Sequence, residues 1–331
     1  MKVILMTAAG DSDVLIEQEI AELNLITSTE IKVRLYAAGV NPVDTKIRKG
    51  GLFYPNAKLP AVLGCDGAGE VVEIGANVTD FKIGDKVWFC HGGLGREPGN
   101  YAEFTVIDQR WASLMPKTLD FQTAAAAPLV LITAWGALFG RGDLQPEQTV
   151  LIHAGAGGVG HVAIQLAKIA GAKVITTVSS LEKAAFVKLL GADEVIFYNE
   201  TDFAAEVNEL TANHGVDLVL DTVGTDVFKA SIPCTAHFGR IVTLLDASNL
   251  DLSEARMRNL LIGFELMLTP MLRDLHAARD QHVALLKQCA TYIDTGKLKI
   301  HVSQVLPLAD AQKAHDLIET GHTMGKLVLS I

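Results

Sequence analysis

The chain has 331 residues, 49% of them hydrophobic and 20% charged, with a formal net charge of −10. That is ample for two domains with real cores, while an acidic chain without a basic block suits neither nucleic acid nor an anionic membrane surface. Cys65, Cys90, Cys234 and Cys289 are far apart and form no CxxC pair, which argues against a disulfide framework or a cysteine-rich zinc site and for a reducing, cytoplasmic location.

The opening MKVILMTAAGDSD meets acids before a signal-length apolar run can form, and is predicted as a first strand. To about residue 125 the chain is β-rich: 30–37, 68–73 and 100–108 alternate in the strand manner, and a turn at 84–85 leads into a strand at 86–89. Residues 123–140 are uncharged but contain Pro128 and fall short of the roughly 20 apolar residues of a membrane span. They are predicted as one buried helix joining the β-rich part to the second half of the chain.

From Thr149 the period changes. Strands are predicted at 150–153, 173–178, 194–197, 216–221, 240–245 and 263–268, with helices at 158–170, 181–190, 202–213, 225–235 and 253–261. That alternation predicts a doubly wound parallel sheet in the order 3-2-1-4-5-6. After Pro270 a long helix to about 295, a strand near 301–305, a helix at about 308–320 and a last strand at 326–330 are too little for a domain. They are expected to complete the N-terminal one. The fold class is therefore α/β, with a β-domain from 1–125 and 271–331 and a dinucleotide domain at 126–270 between them.

The chain is organised around residues 149–160, TVLIHAGAGGVG. A strand runs into Gly155, Ala156, Gly157, Gly158, Val159 and Gly160, and a helix with Val162, Ala163, Leu166, Ala167 and Ile169 on one face follows. This is the dinucleotide fingerprint. Gly155 permits the tight turn, Gly157 lets backbone N–H groups approach a pyrophosphate, and Gly160 lets the helix lie close to its strand. The helix N-terminus adds a partial positive charge. The second strand ends in Ser179 and Ser180 with no acid at its tip, and Lys183 follows one turn later. Hydroxyls and a cation suit the 2′-phosphate of NADPH, where a carboxylate would select NADH. The same residues also fit a plain helix cap with a solvated lysine.

Three stretches in order, GVNPVDTKIRKG (39–50), GCDGAGEVVEIGANVTDFKIGDKV (64–87) and HAGAGGVGHVAIQLAK (153–168), resemble the medium-chain dehydrogenase/reductase superfamily. The spacing from Leu151 to Lys168 is similar to the zinc-independent quinone oxidoreductase, or zeta-crystallin-like, branch, and the likeness extends to GKLVL at 325–329. It implies a GroES-like β-barrel domain beside a Rossmann domain, with the active site in a cleft. It also implies NADPH held by Lys183 and by Tyr198 of DEVIFY, nicotinamide contacts at Asp221, Val223 and Leu244, and Lys326 near the pyrophosphate. A homodimer paired through the apolar strand at 262–268 would cover an otherwise hazardous sheet edge.

Zinc-dependent relatives place a Cys, a His and a later Cys or His where this chain has Asn41, Gly64-Cys65-Asp66 and Leu129; their four-Cys lobe is also missing. One thiol of three ligands is too few for a catalytic site, so no metal is expected and Cys65 is expected to be a small core residue. Without a Lewis acid the acceptor must already be electron-poor: a quinone or conjugated carbonyl. The resemblance offers Asn41, Tyr54 and Thr133 as hydrogen-bond donors to the developing oxyanion, with Asp44 structural. Lys46, where relatives often have Tyr, and a loop one residue longer at Phe53-Tyr54 depart from the pattern. Two alternatives stand beside a quinone reductase: an enoyl-thioester or enone reductase, and a non-catalytic NADPH-binding, crystallin-like protein.

Overall fold

A computed structural model describes residues 1–54, 56–248 and 250–331. It contains two compact units, Met1–Leu129 with Leu268–Gly296 and Ile300–Ile331, and Val130–Met267 with Lys297–Lys299. The boundaries expected at 125/126 and 270/271 thus fall at 129/130 and 267/268.

Unit 1 opens with β1 (Lys2–Met6) and β2 (Leu15–Glu19), followed by the long β3 (Glu30–Val40), α1 (Pro42–Gly50), β4 (Ala61–Val62), β5 (Asp66–Ile74), β6 (Lys86–Cys90), β7 (Phe104–Asp108), β8 (Ser113–Leu114) and α2 (Phe121–Ala125). A small antiparallel sheet runs β2-β1-β4. In the larger one β3 pairs with β5 along most of its length, with register shifts at Lys32/Val33 and Leu35/Ala37. Such irregularities bend a strand and let it change neighbours. The other edge of β3 takes β7 along Glu30–Arg34, leaving Ala37–Val40 for a strand that arrives much later. Ile31, Val33, Leu35, Val71, Val87, Phe89 and Ile107 fill the core that results.

The single helix predicted at 123–140 is a correction. α2 stops at Ala125, α3 (Pro128–Trp135) begins afresh, and Gly136–Arg141 wind as a π-helix. Proline has no N–H for the preceding turn and its ring crowds it, so it starts a helix instead of continuing one.

In unit 2 the alternation is β9 (Thr149–Ile152), α4 (Gly160–Ile169), β10 (Lys173–Val178), α5 (Leu181–Leu189), β11 (Glu194–Phe197), α6 (Phe203–Leu210), β12 (Val216–Asp221), α7 (Thr225–Ser231), β13 (Thr235–Thr243), α8 (Ser253–Met257) and β14 (Leu261–Phe264). The sheet is β11-β10-β9-β12-β13-β14, all parallel, which is the predicted order. β13 starts five residues before its predicted 240, because a bulge absorbs 236–239 and Phe238 adopts a positive φ there. Leu151, Ile175, Val219, Phe228 and Ile241 lie in one core beneath the helices.

The chain then returns to unit 1 through α9 (Thr269–Leu272), α10 (His276–Asp294), β15 (Val302–Pro307), α11 (Ala311–Glu319) and β16 (Lys326–Ser330). β16 pairs antiparallel with β3, Leu327 opposite Val40, filling the edge β7 left open. Among the described residues no helix is long and apolar enough to cross a membrane.

Candidate active site

Parallel strands point their carboxyl ends the same way, and in unit 2 those ends carry every residue predicted there except Thr133. The glycine turn follows β9. A Cβ on Gly155 would sit 2.0 Å from Thr176 Oγ1, and one on Gly160 2.4 Å from the Ala154 carbonyl, so both sites require glycine for close approach. A Cβ on Gly157 would meet only the Ala154 oxygen, at 3.2 Å. Its other side is open, as a backbone cradle for a phosphate requires. Ala156 is buried, and Gly158 and Val159 are half-buried at the start of α4.

A clamp that no motif announces holds this turn. His153 Nδ1 lies 3.2 Å from Thr177 Oγ1, and its Nε2 lies 2.9 Å from Ser231 Oγ on α7. The Thr177 hydroxyl also accepts from the Ala154 N–H at 3.1 Å. Burial pushes His153 down to about 3, so the ring is neutral and works as a fixed strut. The one hint in the sequence was a histidine two residues before Gly155 with paired threonines on the next strand.

At the tip of β10, Ser180 caps α5 by accepting from the Lys183 N–H, and Lys183 Nζ donates to Ser179 Oγ, both at 3.2 Å. The structure brings Ser179, Ser180 and Lys183 together, with no carboxylate at the tip of β10. Tyr198 follows β11 and is exposed. Asp221 closes β12. It is fully buried, with Oδ1 accepting from the Val223 and Gly224 N–H groups at 2.9 and 3.0 Å and Oδ2 from Thr243 Oγ1 at 2.8 Å. Its carboxylate therefore shapes the turn after β12 and is not offered to a ligand. The turn presents Val223 outward, and Leu244 follows β13 with its N–H on the Asp221 carbonyl. Thr133 is buried in α3.

Unit 1 contains a buried ionic knot. Asn41 caps α1, where its N–H donates to Asp44 Oδ2 at 2.9 Å, and its Nδ2 donates to Asp66 Oδ2 at 2.9 Å. Lys326 Nζ donates to Asn41 Oδ1 and to the Val40 carbonyl, and Asp66 Oδ1 accepts from the Leu129 N–H at 2.8 Å. Tyr101 closes the knot, its hydroxyl donating to Asp44 Oδ2 at 3.1 Å and lying 3.2 Å from His315 Nε2. Burial pushes Asp44 up to about 7 and Asp66 up to about 6, while Lys326 and hydrogen bonds oppose it. Burial also lowers Lys326, against the pull of both carboxylates.

Two expectations change here. Lys326 is 3% exposed and turns its ammonium into unit 1, so it is a structural cation and not one reaching out to a pyrophosphate. Asn41 is fully buried with both ends of its amide engaged. Its role in this geometry is to tie β3, β5 and β16 together, not to present a free donor. Tyr54 is half-buried, its hydroxyl donating to the Met271 carbonyl at 2.9 Å and its ring lying beneath the Arg96 guanidinium, 4.8 Å away. Burial, then Glu97, raise its hydroxyl, with Arg96 opposing.

Residues 27–117 match the alcohol dehydrogenase GroES-like domain, and residues 190–329 match the zinc-binding dehydrogenase domain. A quinone oxidoreductase of Pseudomonas aeruginosa is 36% identical over 91% of this chain and 90% of its own. The chain belongs to the quinone oxidoreductase branch of the medium-chain dehydrogenases/reductases. It is an oxidoreductase, which sets aside the purely cofactor-binding alternative. An Escherichia coli quinone oxidoreductase solved in complex with NADPH superimposes with a TM-score of 0.89, at 30% identity over the whole of both chains. A chloroplastic NADPH-dependent alkenal/one oxidoreductase of Arabidopsis thaliana is 30% identical over 99% of this chain and 79% of its own.

Zinc enters the second domain's description, and the residues of this branch member do not fit it. Asn41 and Leu129 stand at two ligand positions. At the third, the Cys65 thiol is buried, and its hydrogen bond with Cys90, together with burial, pushes it well up, away from the thiolate a metal requires. Among the described residues no three His, Cys, Asp or Glu side chains are grouped to hold a metal ion. A nicotinamide dinucleotide does fit: the Gly157 cradle and the α4 N-terminus are the features its pyrophosphate needs.

Proposed function

We propose that the protein is a zinc-independent, NADPH-dependent reductase of quinones or other conjugated carbonyls. The observation that carries this reading is an intact dinucleotide turn in a chain whose three metal-ligand positions hold an amide, a high-pKa thiol and an aliphatic side chain. Preference for NADPH is supported by Ser179, Ser180 and Lys183 at the tip of β10 and by the exposed Tyr198, which together offer hydroxyls and one cation to a 2′-phosphate.

NADPH, when bound, supplies a hydride which, with one proton, converts a quinone to a hydroquinone. The chain's own part is to bind, orient and protonate. The turn 155–160 holds the pyrophosphate and the His153–Thr177–Ser231 clamp fixes that turn. The backbone at Val223 and Leu244, set by Asp221, aligns the nicotinamide. Tyr54 and Thr133 are the hydroxyls that the family resemblance offers to the acceptor oxygen. The protein works as a cytoplasmic homodimer, paired through β14, where the exposed Leu261 and Phe264 need cover.

A second reading, reduction of the carbon–carbon double bond of an enone or enoyl thioester, is supported by the alkenal/one relative. The two differ in the task of Tyr54. Hydroquinone oxygens take protons from water, so Tyr54→Phe should cost only a binding effect on the order of 1 kcal/mol. A carbon acid must receive its proton from the enzyme, and loss of that donor should slow turnover roughly a hundredfold. The test is NADPH oxidation by wild type and Tyr54→Phe with quinones, enals, enones and a crotonyl thioester. Turnover of saturated aldehydes or alcohols alone would refute both readings.

A further inference from the structure

Arg279 is a buried guanidinium with no carboxylate partner among the described residues. It lies on the first turn of α10, 7% exposed, with its Cζ 3.9 Å from the centre of the Trp111 ring. Its hydrogen bond runs from Nη2 to His91 Nδ1 at 2.7 Å. His91 is itself buried and held down to about 3, so it accepts as a neutral ring and offsets no charge. Three other arginines of unit 1 have acids, Arg48 with Glu319, Arg110 with Asp108, and Arg96 with both Glu97 and Asp274, while Arg34 and Arg273 are exposed to water. A cation taken from water into a dry site ordinarily brings an anion with it.

The surroundings of Arg279 concentrate that imbalance near Tyr54. The charges of Arg279 and Arg96 both act on the Tyr54 hydroxyl. Of the acids around them, Asp274 is at the surface, while Glu97 gives Oε1 to Arg96 and keeps a buried Oε2 with no hydrogen-bond partner among the described residues. Two guanidinium groups therefore share one inward-facing carboxylate. Glu97 Oε2 lacks a hydrogen-bond partner among the described residues, and Arg279 forms no ion pair there.

We propose that Arg279 is a specificity-determining residue that selects acceptors carrying an acidic group, a carboxylate or sulfonate, beside the conjugated carbonyl. Glu97 tempers this selection by repelling the same group. The inference rests on the reductase reading above and names its substrate class. A planar guanidinium fork over an indole face is suited to a planar carboxylate in a way that a lysine is not.

The test compares two acceptors that differ in one charge, 1,4-naphthoquinone and 1,4-naphthoquinone-2-sulfonate, in wild type, Arg279→Met, Arg279→Lys and Glu97→Gln. The readout is the ratio of kcat/KM for the sulfonated acceptor to that for the neutral one. Arg279→Met should lower this ratio tenfold or more, and Arg279→Lys, which restores the charge without the planar fork, should recover only a small part of it. Glu97→Gln should raise it several-fold, a change that misfolding does not mimic. An unchanged ratio in Arg279→Met, or a fall in Glu97→Gln, overturns the proposal. Quenching of tryptophan fluorescence by benzoate gives an answer without turnover, since Trp111 lies directly beneath Arg279. Saturable quenching in wild type that Arg279→Met abolishes, with neither quinone reduced, would uphold the anion site and refute the reductase reading. No difference in quenching, with neither quinone reduced, would refute both.

Discussion

Lys326→Met removes the one cation from the buried knot of Asp44, Asp66 and Asn41 while keeping the length of the side chain. The wild-type carboxyls bind their protons more tightly folded than unfolded, at about 7 for Asp44 and about 6 for Asp66 against 3.8 unfolded. The stability they contribute is thus complete below pH ~4 and is lost as pH rises through 6 to 7. Lys326 limits that loss. Without it, the ionised knot at pH 8 should be weaker by about 3–5 kcal/mol, the usual consequence of deleting one partner of a buried pair. At roughly 2–4 °C per kcal/mol for a unit of this size, the melting temperature should fall by roughly 6–20 °C. At pH 5 the carboxyls are largely neutral, and the variant loses only the hydrogen bonds to Val40 and Asn41, about 1 kcal/mol each. Fluorescence-monitored melts of both proteins at pH 5 and pH 8, at matched ionic strength, measure the difference. A drop equal at both pH values would mean that packing and not charge is lost, and a larger drop at pH 5 would refute the charge account outright. Adding Asp66→Asn to Lys326→Met should restore part of the loss at pH 8 and almost none at pH 5.

Lys183→Glu should weaken NADPH binding by about 1–3 kcal/mol, ten- to a hundredfold, and NADH binding far less; equal losses with both cofactors would show that Lys183 does not meet the 2′-phosphate. Gly155→Ala forces a methyl onto Thr176 Oγ1 and should cost about 1–3 kcal/mol of stability along with cofactor affinity. Gly50→Ala, where a methyl meets nothing within 4 Å, is its control, and similar losses in the two would refute the close-approach account. Activity should survive exhaustive chelation, and stoichiometric zinc with chelator-sensitive turnover would overturn the metal-free reading.

The parallel sheet was legible because its signals are local. Strand–glycine–helix spacing and alternating periods predicted β10, β11 and β12 to the residue. The end of α2 was missed because one proline was weighed against an uninterrupted apolar run, and a proline decides backbone geometry whatever flanks it. The side chains of Asn41, Asp221 and Lys326 were harder. A motif shows that a polar residue belongs to a site, but not which way it faces. Asn41 and Lys326 are 285 residues apart, and no spacing rule reports that one amide joins them. The Ser179–Lys183 hydrogen bond follows from a spacing of one helix turn, and Tyr198 is exposed just past the end of β11.

The pairing of β16 with β3 also bears on synthesis. Val40 leaves the ribosome 286 residues before Lys326. Throughout that interval β3 shows an unpaired edge at Ala37–Val40, and Asp66 and Asp44 wait without their cation. The Rossmann sheet, made of consecutive segments, can close in the meantime. A nascent chain stalled before β16 should therefore carry a protease-resistant second unit and a first unit that chaperones still recognise.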